Sequence, residues 1–326
     1  MGQYSNYPNG FANGLTVRGV PILQAQPGNV YWVGNSTATM PNQRAASNGN
    51  DGTFFSPFSS VDYAMGRCTA NRGDIIMVKP GHAETLTSAT TLALDVAGVA
   101  VVGLGAGTSR PTFTFTTANT ATIAVSAANI SVQNCKFVGN FLSIAAAFTV
   151  GAAPHFTLEN CSFTDTSAIL GFLSAVKTTV TVNADFLTIK DCYIKSDATT
   201  KSVAPIVVLG TMTGLTLQGN TVVQTVAHNN VSQFLSHAAL VMTAAVVEDN
   251  KVYSINTDTA TGGALVTTSA TTGSGIIRNN VVRALDIAAA ILVTATAVQY
   301  GMFNNLYIGE TTSLSGFVLP AIGTDA

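Results

Sequence analysis

The sequence predicts an all-β chain: a right-handed, single-stranded parallel β-helix with a short N-terminal capping helix and an extended N-terminal arm. Three observations support this prediction. Seven segments share one local pattern at a period of 25 to 31 residues, apolar and polar residues alternate within them, and Asn, Asp or Gly occupies one fixed place in each. Such a period is typical of solenoids, whose neighbouring repeats bury each other's faces.

The repeats align on this fixed residue, which we call the anchor. Successive anchors are 26, 31, 28, 30, 30 and 25 residues apart. Positions four and two before the anchor and three after it are mostly apolar, as in half-buried strands, and the anchor type tolerates the left-handed backbone of a corner. With one or two further coils before Ile130, a rod of roughly 40 Å is expected. The anchors are Asn134, Asn160, Asp191, Gly219, Asp249, Asn279 and Asn304.

The residue after each anchor forms a second column, which we expect to face inward as a structural ladder. Stacked amides satisfy each other's hydrogen bonds along such a column. A metal site or a disulfide is the alternative for its thiols, but they lack the paired spacing of zinc sites, and buried Cys packs as a small hydrophobe. We therefore expect neither metal nor cofactor. The column comprises Cys135, Cys161, Cys192, Asn220, Asn250, Asn280 and Asn305.

At two places along the chain, the position before the anchor is acidic in one coil and basic in the next. Glu159 is followed one coil later by Lys190, and Glu248 by Arg278. Adjacent strands would bring these opposite charges together on the outer surface. The pattern predicts two ion pairs that contribute to register and solubility.

Composition restricts the partners. Only 9% of the residues are charged, 47% are hydrophobic, and the net charge is −2. A soluble domain is usually about one quarter charged, so the chain is expected to bury outer surface in a homotrimer. No apolar run reaches the ~18 residues of a membrane helix, and no basic run marks a nucleic-acid site. We expect neither membrane nor nucleic acid as a partner.

Four segments are predicted along the chain. Residues 1–52 form the extended arm, 53–86 the capping helix and first coil, 87–315 the β-helix, and 316–326 a C-terminal cap or tail. Ser59 or Ser60 caps a helix predicted over 61–70, and Ile75–Val78 is predicted to be the first buried strand. Apolar residues of the arm suited to attachment are Phe11, Leu15, Val17, Val20, Ile22 and Leu23.

The stretch from Pro57 to Glu84, with PF-SS-VDYA followed by RGD-IIMVKPG-HAE, resembles the N-terminal cap and first coil of pectin-lyase-like β-helix proteins. This pattern is widespread among bacteriophage virion proteins, and the coils to about Ile308 are similar in style. FANGLTVRGVPI at 11–22 looks like the N-terminal region of phage head- or tail-attached proteins. The resemblance is specific for the fold, and the same fold serves enzymes, spikes and inert structural proteins.

The resemblance implies a non-enzymatic structural protein of a phage virion, assembled in the host cytoplasm. We expect a homotrimeric projection, either a capsid decoration or head fibre, or, second, a tail-associated protein. Its residues 1–52 would bind the major capsid protein or another virion protein, and its coils would contact a host-surface glycan. A bacterial surface adhesin is a further alternative, which would require an export signal not evident from Met1 onward.

The main alternative is a polysaccharide-depolymerising tail spike that acts as a glycoside hydrolase or lyase. Hydrolysis requires two carboxylates roughly 5–9.5 Å apart on one cleft. The candidates on neighbouring coils are Asp165 and Asp197, and no third acid, His or Arg in similar register accompanies them. The other carboxylates are scattered, so the sequence favours the non-enzymatic interpretation.

Overall fold

Each coil of the chain contains short strands from three parallel sheets, and equivalent strands of successive coils pair with one another. The architecture is the predicted right-handed parallel β-helix. The computed structural model describes residues 16–17, 20–21, 28–37, 42–180, 184–196, 204–224, 234–237, 241–254, 263–268, 273–284, 289–293, 298–309 and 316–317.

The first sheet contains the strand that ends at each anchor. A two-residue strand, Met212–Thr213, pairs beside the main path of this sheet. The main path comprises Val30–Val33, Ile75–Val78, Ala100–Gly103, Ser131–Gln133, Thr157–Glu159, Thr188–Lys190, Thr216–Gln218, Met242–Glu248, Gly273–Arg278 and Val298–Phe303.

The second sheet begins two residues after each anchor. Gly316–Phe317 pairs antiparallel with its last strand, within the segment predicted as a C-terminal cap or tail. The parallel strands are Ala83–Leu86, Thr112–Phe115, Lys136–Gly139, Ser162–Asp165, Tyr193–Ser196, Thr221–Gln224, Lys251–Ser254, Val281–Ala284 and Leu306–Gly309.

The third sheet completes each coil before the chain returns to the first sheet. A separate antiparallel pair, Thr16–Val17 with Val20–Pro21, precedes the coils. The strands of the third sheet are Ala93–Leu94, Ile123–Val125, Phe148–Val150, Val176–Thr178, Ile206–Val208, Leu235–His237, Gly263–Thr268 and Ala289–Val293.

The anchors turn the corner between the first and second sheets, as predicted. All seven have left-handed backbone, with φ between 51° and 67°. A left-handed residue costs Asn, Asp and Gly less than other types, because their side chains are short and polar or absent. The corner therefore recurs at the same place in each coil and fixes the register of both sheets.

The interior is filled by columns of like side chains from successive coils. Phe113, Phe137 and Phe163 stack in the second sheet with ring centroids 5.6 and 5.1 Å apart. Each is almost completely buried. Each ring removes a large apolar area from water, and each offset-stacked pair adds about 0.5–1.5 kcal/mol.

The helix α1 (Val61–Met65) covers the N-terminal end of this interior. Ser60 is its N-cap, accepting a hydrogen bond from the Tyr63 N–H, and a carboxylate oxygen of Glu84 accepts from the Val61 N–H at 3.1 Å. The helix is shorter than the predicted 61–70, because after its C-cap Gly66 the backbone continues in tighter turns, with the N–H groups of Arg67 and Cys68 donating to the carbonyls of Ala64 and Met65. A short 3₁₀ turn, Gly107–Ser109, lies at a later corner.

The predicted boundary at residue 52 differs from the structure. Val30–Val33 pairs in register with Ile75–Val78, so it is part of the first sheet. The Trp32 N–H also donates to the carbonyl of Gly52 at 2.8 Å. A single strand flanked by Asn, Gly and Pro carries no repeat, which explains why the sequence pattern placed it in the arm.

The buried carboxylate of Asp74 fixes the start of the solenoid. Its oxygens accept hydrogen bonds from the backbone N–H of Asn29 at 2.6 Å and of Thr69 at 2.7 Å, and from the Arg72 guanidinium at 2.7 Å. Burial alone would raise the pKa of Asp74, but the hydrogen bonds from Arg72, Thr69 and Asn29 outweigh it and lower the pKa. One ionised side chain thus joins the strand at residues 30–33 to the cap.

The four Asn residues of the second column form a continuous buried ladder. Each amide nitrogen donates to the amide oxygen of the next coil, at 2.9 Å from Asn220 to Asn250, 3.0 Å from Asn250 to Asn280 and 2.9 Å from Asn280 to Asn305. The same nitrogens donate to strand carbonyls, such as that of Leu217. The ladder satisfies polar groups that a buried corner would otherwise leave without partners.

Replacing Asn250 with Leu tests the ladder. We expect the free energy of unfolding to fall by about 3 kcal/mol, because the substitution leaves buried donors and acceptors on both neighbouring coils unsatisfied. Urea denaturation gives the value. Gln133→Leu, an amide-to-Leu change at an outward position, is the control and should cost less than about 0.5 kcal/mol. Equal effects of the two substitutions would contradict a stabilising role of the ladder.

Two N-terminal truncations test the revised boundary. Removing residues 1–27 should leave the melting temperature unchanged, because the truncated chain keeps Asn29 and Val30–Val33, whose hydrogen bonds join the N-terminal strand to the coils. Removing residues 1–52 should lower the melting temperature by several degrees, since both the strand Val30–Val33 and the loop that follows it to residue 52 are lost. Circular dichroism melts compare the two, and equal melting temperatures would restore the boundary at residue 52.

The stability contributed by Asp74 should depend on pH. Because its pKa is lower in the folded chain, this contribution is complete above the unfolded pKa near 4 and is lost as the pH falls through the lower folded value. The difference in unfolding free energy between the wild type and Asp74→Asn should therefore shrink from pH 7 toward pH 2. Asp51→Asn, at an exposed site of the same cap, is the control. A difference that stays constant with pH would refute the assignment.

Candidate functional site on the second sheet

The acidic residues predicted as catalytic candidates do not form a site in the described residues. The carboxylate of Asp165 accepts hydrogen bonds from the Phe172 N–H at 2.9 Å and from the Ser196 hydroxyl at 3.1 Å. The register therefore places Ser196 beside Asp165, and Asp197 lies outside the described residues. The adjoining cavity is about 20 Å³, the size of one water molecule. Asp165 holds the loop that follows the second sheet, and the cavity among the described residues is too small for a sugar ring.

The thiols of the ladder column are packing groups. Cys135, Cys161 and Cys192 are buried and free, and each Sγ donates to a carbonyl oxygen of its own coil at 3.3 to 3.4 Å. Burial raises the pKa of the Cys135 thiol, which disfavours its own thiolate, whereas at Cys161 burial is outweighed by hydrogen bonds from Cys192 and the neighbouring backbone, which lower the pKa there. Among the residues described, no group of three His, Cys, Asp or Glu could hold a metal ion.

The outer face of the first sheet carries the two predicted ion pairs, which are confirmed. The Lys190 ammonium lies 3.8 Å from the Glu159 carboxylate, and the Arg278 guanidinium lies 2.6 Å from that of Glu248. Gln218 also donates to Glu248 at 2.8 Å. The charges on this face are compensated by each other, so the face offers little to a charged ligand.

The outer face of the second sheet has a different character. Its outward positions lie two and four residues after the anchors, and none of those on the described strands up to residue 284 is Asp or Glu. Four cations and two tyrosines lie among uncharged residues. In order along the chain these six are Lys136, Tyr193, Lys195, Lys251, Tyr253 and Arg283. We call this surface the cationic–aromatic face.

The register arranges these side chains in two lines along the rod axis. Lys136, Tyr193 and Lys251 occupy one line at every second coil, separated by Ser162 and Thr221. With coils about 4.8 Å apart, the two lysines are about 19 Å from each other. Regular spacing in one line suits an elongated ligand better than a compact one.

The second line carries the remaining three members. Lys195, Tyr253 and Arg283 lie four residues after their anchors, and Tyr253 is the register partner of Arg283. Tyr193 and Tyr253 are each 39% exposed, so part of each ring faces outward. Lys136 and Lys251 form no ion pair with any described residue. The face therefore combines positive charge with apolar ring surface.

The sequence contained a signal for this face that the prediction missed. The positions two and four residues after each anchor are the outward positions of the second sheet, and the position three after it is inward. The prediction used the position before the anchor, which lies on the first sheet, where opposite charges pair. A table of the outward positions would have shown cations and tyrosines without a carboxylate on the second sheet.

Within the described residues, no helix is long and apolar enough to cross a membrane.

No protein-family model matches the chain, and no curated protein matches it significantly. Three solved structures are similar to it. A rhamnogalacturonan lyase is 12% identical over 79% of this chain and 74% of its own, with a TM-score of 0.42. Pectin methylesterase from Aspergillus niger, in deglycosylated form, is 15% identical over 87% and 94%, with a TM-score of 0.48. A pectate lyase is 14% identical over 87% and 78%, with a TM-score of 0.38.

All three similar structures are enzymes, contrary to the expectation of a non-enzymatic protein. The favoured interpretation rested on scattered carboxylates, which argue against hydrolysis by an acid pair but not against other reactions on the same scaffold. At 12 to 15% identity, the similarities carry information on the fold alone. The coils described above identify the chain as a right-handed parallel β-helix.

Proposed function

We propose that the chain binds an acidic polysaccharide along the cationic–aromatic face and depolymerises it as a lyase. The observation that carries this proposal is the combination of lysines, an arginine and exposed tyrosines on outward positions that include no Asp or Glu. A polymer of uronic acids has the complementary properties, since it repeats a carboxylate along a stiff chain of rings. Electrostatic complementarity of this kind supports both association and register.

The tyrosines supply the second half of the complementarity. A sugar ring has an apolar face that packs on an aromatic ring, while its hydroxyls remain in water. Tyr193 lies between Lys136 and Lys251 on one line, so a ring stacked on it would place neighbouring carboxylates toward the two ammonium groups. Binding would be distributed over several coils instead of being concentrated in a pocket.

The absence of acids from the outward positions of the second sheet, on its described strands up to residue 284, favours elimination over hydrolysis. Glycoside hydrolysis needs two carboxylates. Elimination needs a base that removes the proton from the carbon next to the carboxylate, and the phenolate of Tyr or the neutral amine of Lys can accept this proton. The C–H electron pair then forms a carbon–carbon double bond as the C–O bond to the leaving sugar breaks, and the leaving oxygen takes up a proton. Nearby cations stabilise the negative charge that develops on the carboxylate.

We assign the base to Tyr193, because its ring lies between two lysines of one line and Lys195 follows on the same strand face. We also propose where the protein acts: it is a homotrimeric projection of a virion, similar to a tail spike. Its ligand there is a glycan on the host surface. In that arrangement the segment before Asn29 binds the capsid or another virion protein.

Binding and cleavage of polygalacturonate test the proposal. Calorimetry gives the Kd, and the ultraviolet absorbance of the unsaturated product gives the rate. The double variant Lys136→Gln, Lys251→Gln should bind about 10-fold or more weakly. Tyr193→Phe should keep the Kd, because its ring is intact, and lose at least about 100-fold in rate.

Lys177→Gln is the matched control, since it removes one lysine from the third sheet and should change neither quantity. Melting temperatures of all variants should equal that of the wild type, because these side chains face outward. A wild type that does not bind polygalacturonate, or a double variant that binds as tightly as Lys177→Gln, would refute the proposed function.

A further inference from the structure

Arg110 occupies the corner between the first and second sheets at the N-terminal end of the cationic–aromatic face. It precedes Thr112 by two residues, and Thr112 is the register partner of Lys136. Its side chain extends along the axis over two coils, where the guanidinium donates to the side-chain oxygen of Asn160 at 3.3 Å. The guanidinium is therefore near the coil of Lys136 and next to the line that continues to Tyr193.

The hydrogen bonding around this guanidinium is incomplete. Its Nε is buried and has no hydrogen-bond partner, and the bond to Asn160 is long for a charged donor. An arginine carries five N–H donors in a rigid fork, and buried donors are nearly always satisfied.

The neighbouring amides supply no further acceptor. Asn160 donates to the side-chain oxygen of Asn134 at 3.3 Å, and Asn134 donates in turn to the carbonyls of Gly103 and Gly105 at 2.8 and 2.9 Å. The amide oxygens of both residues are thereby engaged. Within the described residues, Arg110 forms no ion pair with a carboxylate.

We infer that Arg110 is a carboxylate-binding residue, which together with Lys136 forms a subsite for one uronic acid unit at the N-terminal end of the face. The inference rests on the proposed function and adds a defined position at which the polymer is held. A guanidinium binds a carboxylate through two parallel N–H···O bonds, which an ammonium cannot do. The subsite therefore fixes the register of the polymer, while the lysines supply charge.

Two measurements on the full chain test this inference. The first is the Kd for polygalacturonate of Arg110→Gln and Arg110→Lys. Both should bind about 10- to 100-fold more weakly than the wild type, and Lys should not restore binding because it lacks the fork. The control is Arg67→Gln, which removes an exposed arginine behind the capping helix and should have no effect.

The second measurement detects the subsite without the polymer. The Nε–H resonance of Arg110, assigned by its loss in the Arg110→Lys spectrum, should shift in a saturable way when monomeric galacturonate is added, and should not shift with neutral galactose. Melting curves of both variants identify any loss of fold.

The outcomes separate this inference from the proposed function. Tight polymer binding by the wild type and by Arg110→Gln alike would overturn the subsite and leave the proposed function standing. A saturable shift with galacturonate, without polymer binding, would support the subsite and refute the proposed function. An Arg110 resonance that does not respond to galacturonate would overturn the subsite regardless of the polymer result.

Discussion

In-register parallel stacking is the constraint on which the whole molecule depends. Because the paired strands of successive coils lie in register, each paired strand position becomes a column along the axis. In an inward column, equivalent side chains of successive coils contact each other. Each side chain must therefore pack against, or form hydrogen bonds with, the side chains above and below it in the column. The phenylalanine stack and the asparagine ladder are two such solutions. The left-handed anchors keep the columns aligned by turning the chain at the same residue in each coil.

The same constraint shapes the outer surface, where it leaves more freedom. An outward column may carry any side chain that tolerates water, but neighbours in the column remain about 4.8 Å apart. On the first sheet, opposite charges follow one another and compensate, as between Glu248 and Arg278. On the second sheet, Lys136 and Lys251 lie beside Ser162 and Thr221 in their column, and neither forms an ion pair with a described residue. A row of positively charged side chains along the axis of a solenoid is complementary to an extended, negatively charged polymer.

The sequence predicted those features that repeat and missed those that occur once. Period, corners, the inward column and both surface ion pairs each appear several times, so alignment of the repeats revealed them. The strand Val30–Val33 occurs once, and its residues lie among Asn and Gly that mimic a linker. Arg110 was also missed, because its role depends on a reach over two coils to Asn160 that no spacing within a single repeat encodes. The structure was needed wherever contacts cross between coils without a repeated pattern.

The acid pair illustrates why columns, and not residue types, have to be compared in a solenoid. Asp165 and Asp197 look equivalent because each follows an anchor at nearly the same distance. The register places Ser196 opposite Asp165, and the carboxylate is used to hold a loop. One residue of offset changes the face of a strand on which a side chain lies, so near-equivalence in sequence does not by itself establish a site. The cationic–aromatic face passes this stricter comparison, since Lys136, Tyr193 and Lys251 share one column by their hydrogen-bonded register. Packing of the interior does not determine which side chains occupy the outward columns. These columns are therefore the best places to look for function on this fold.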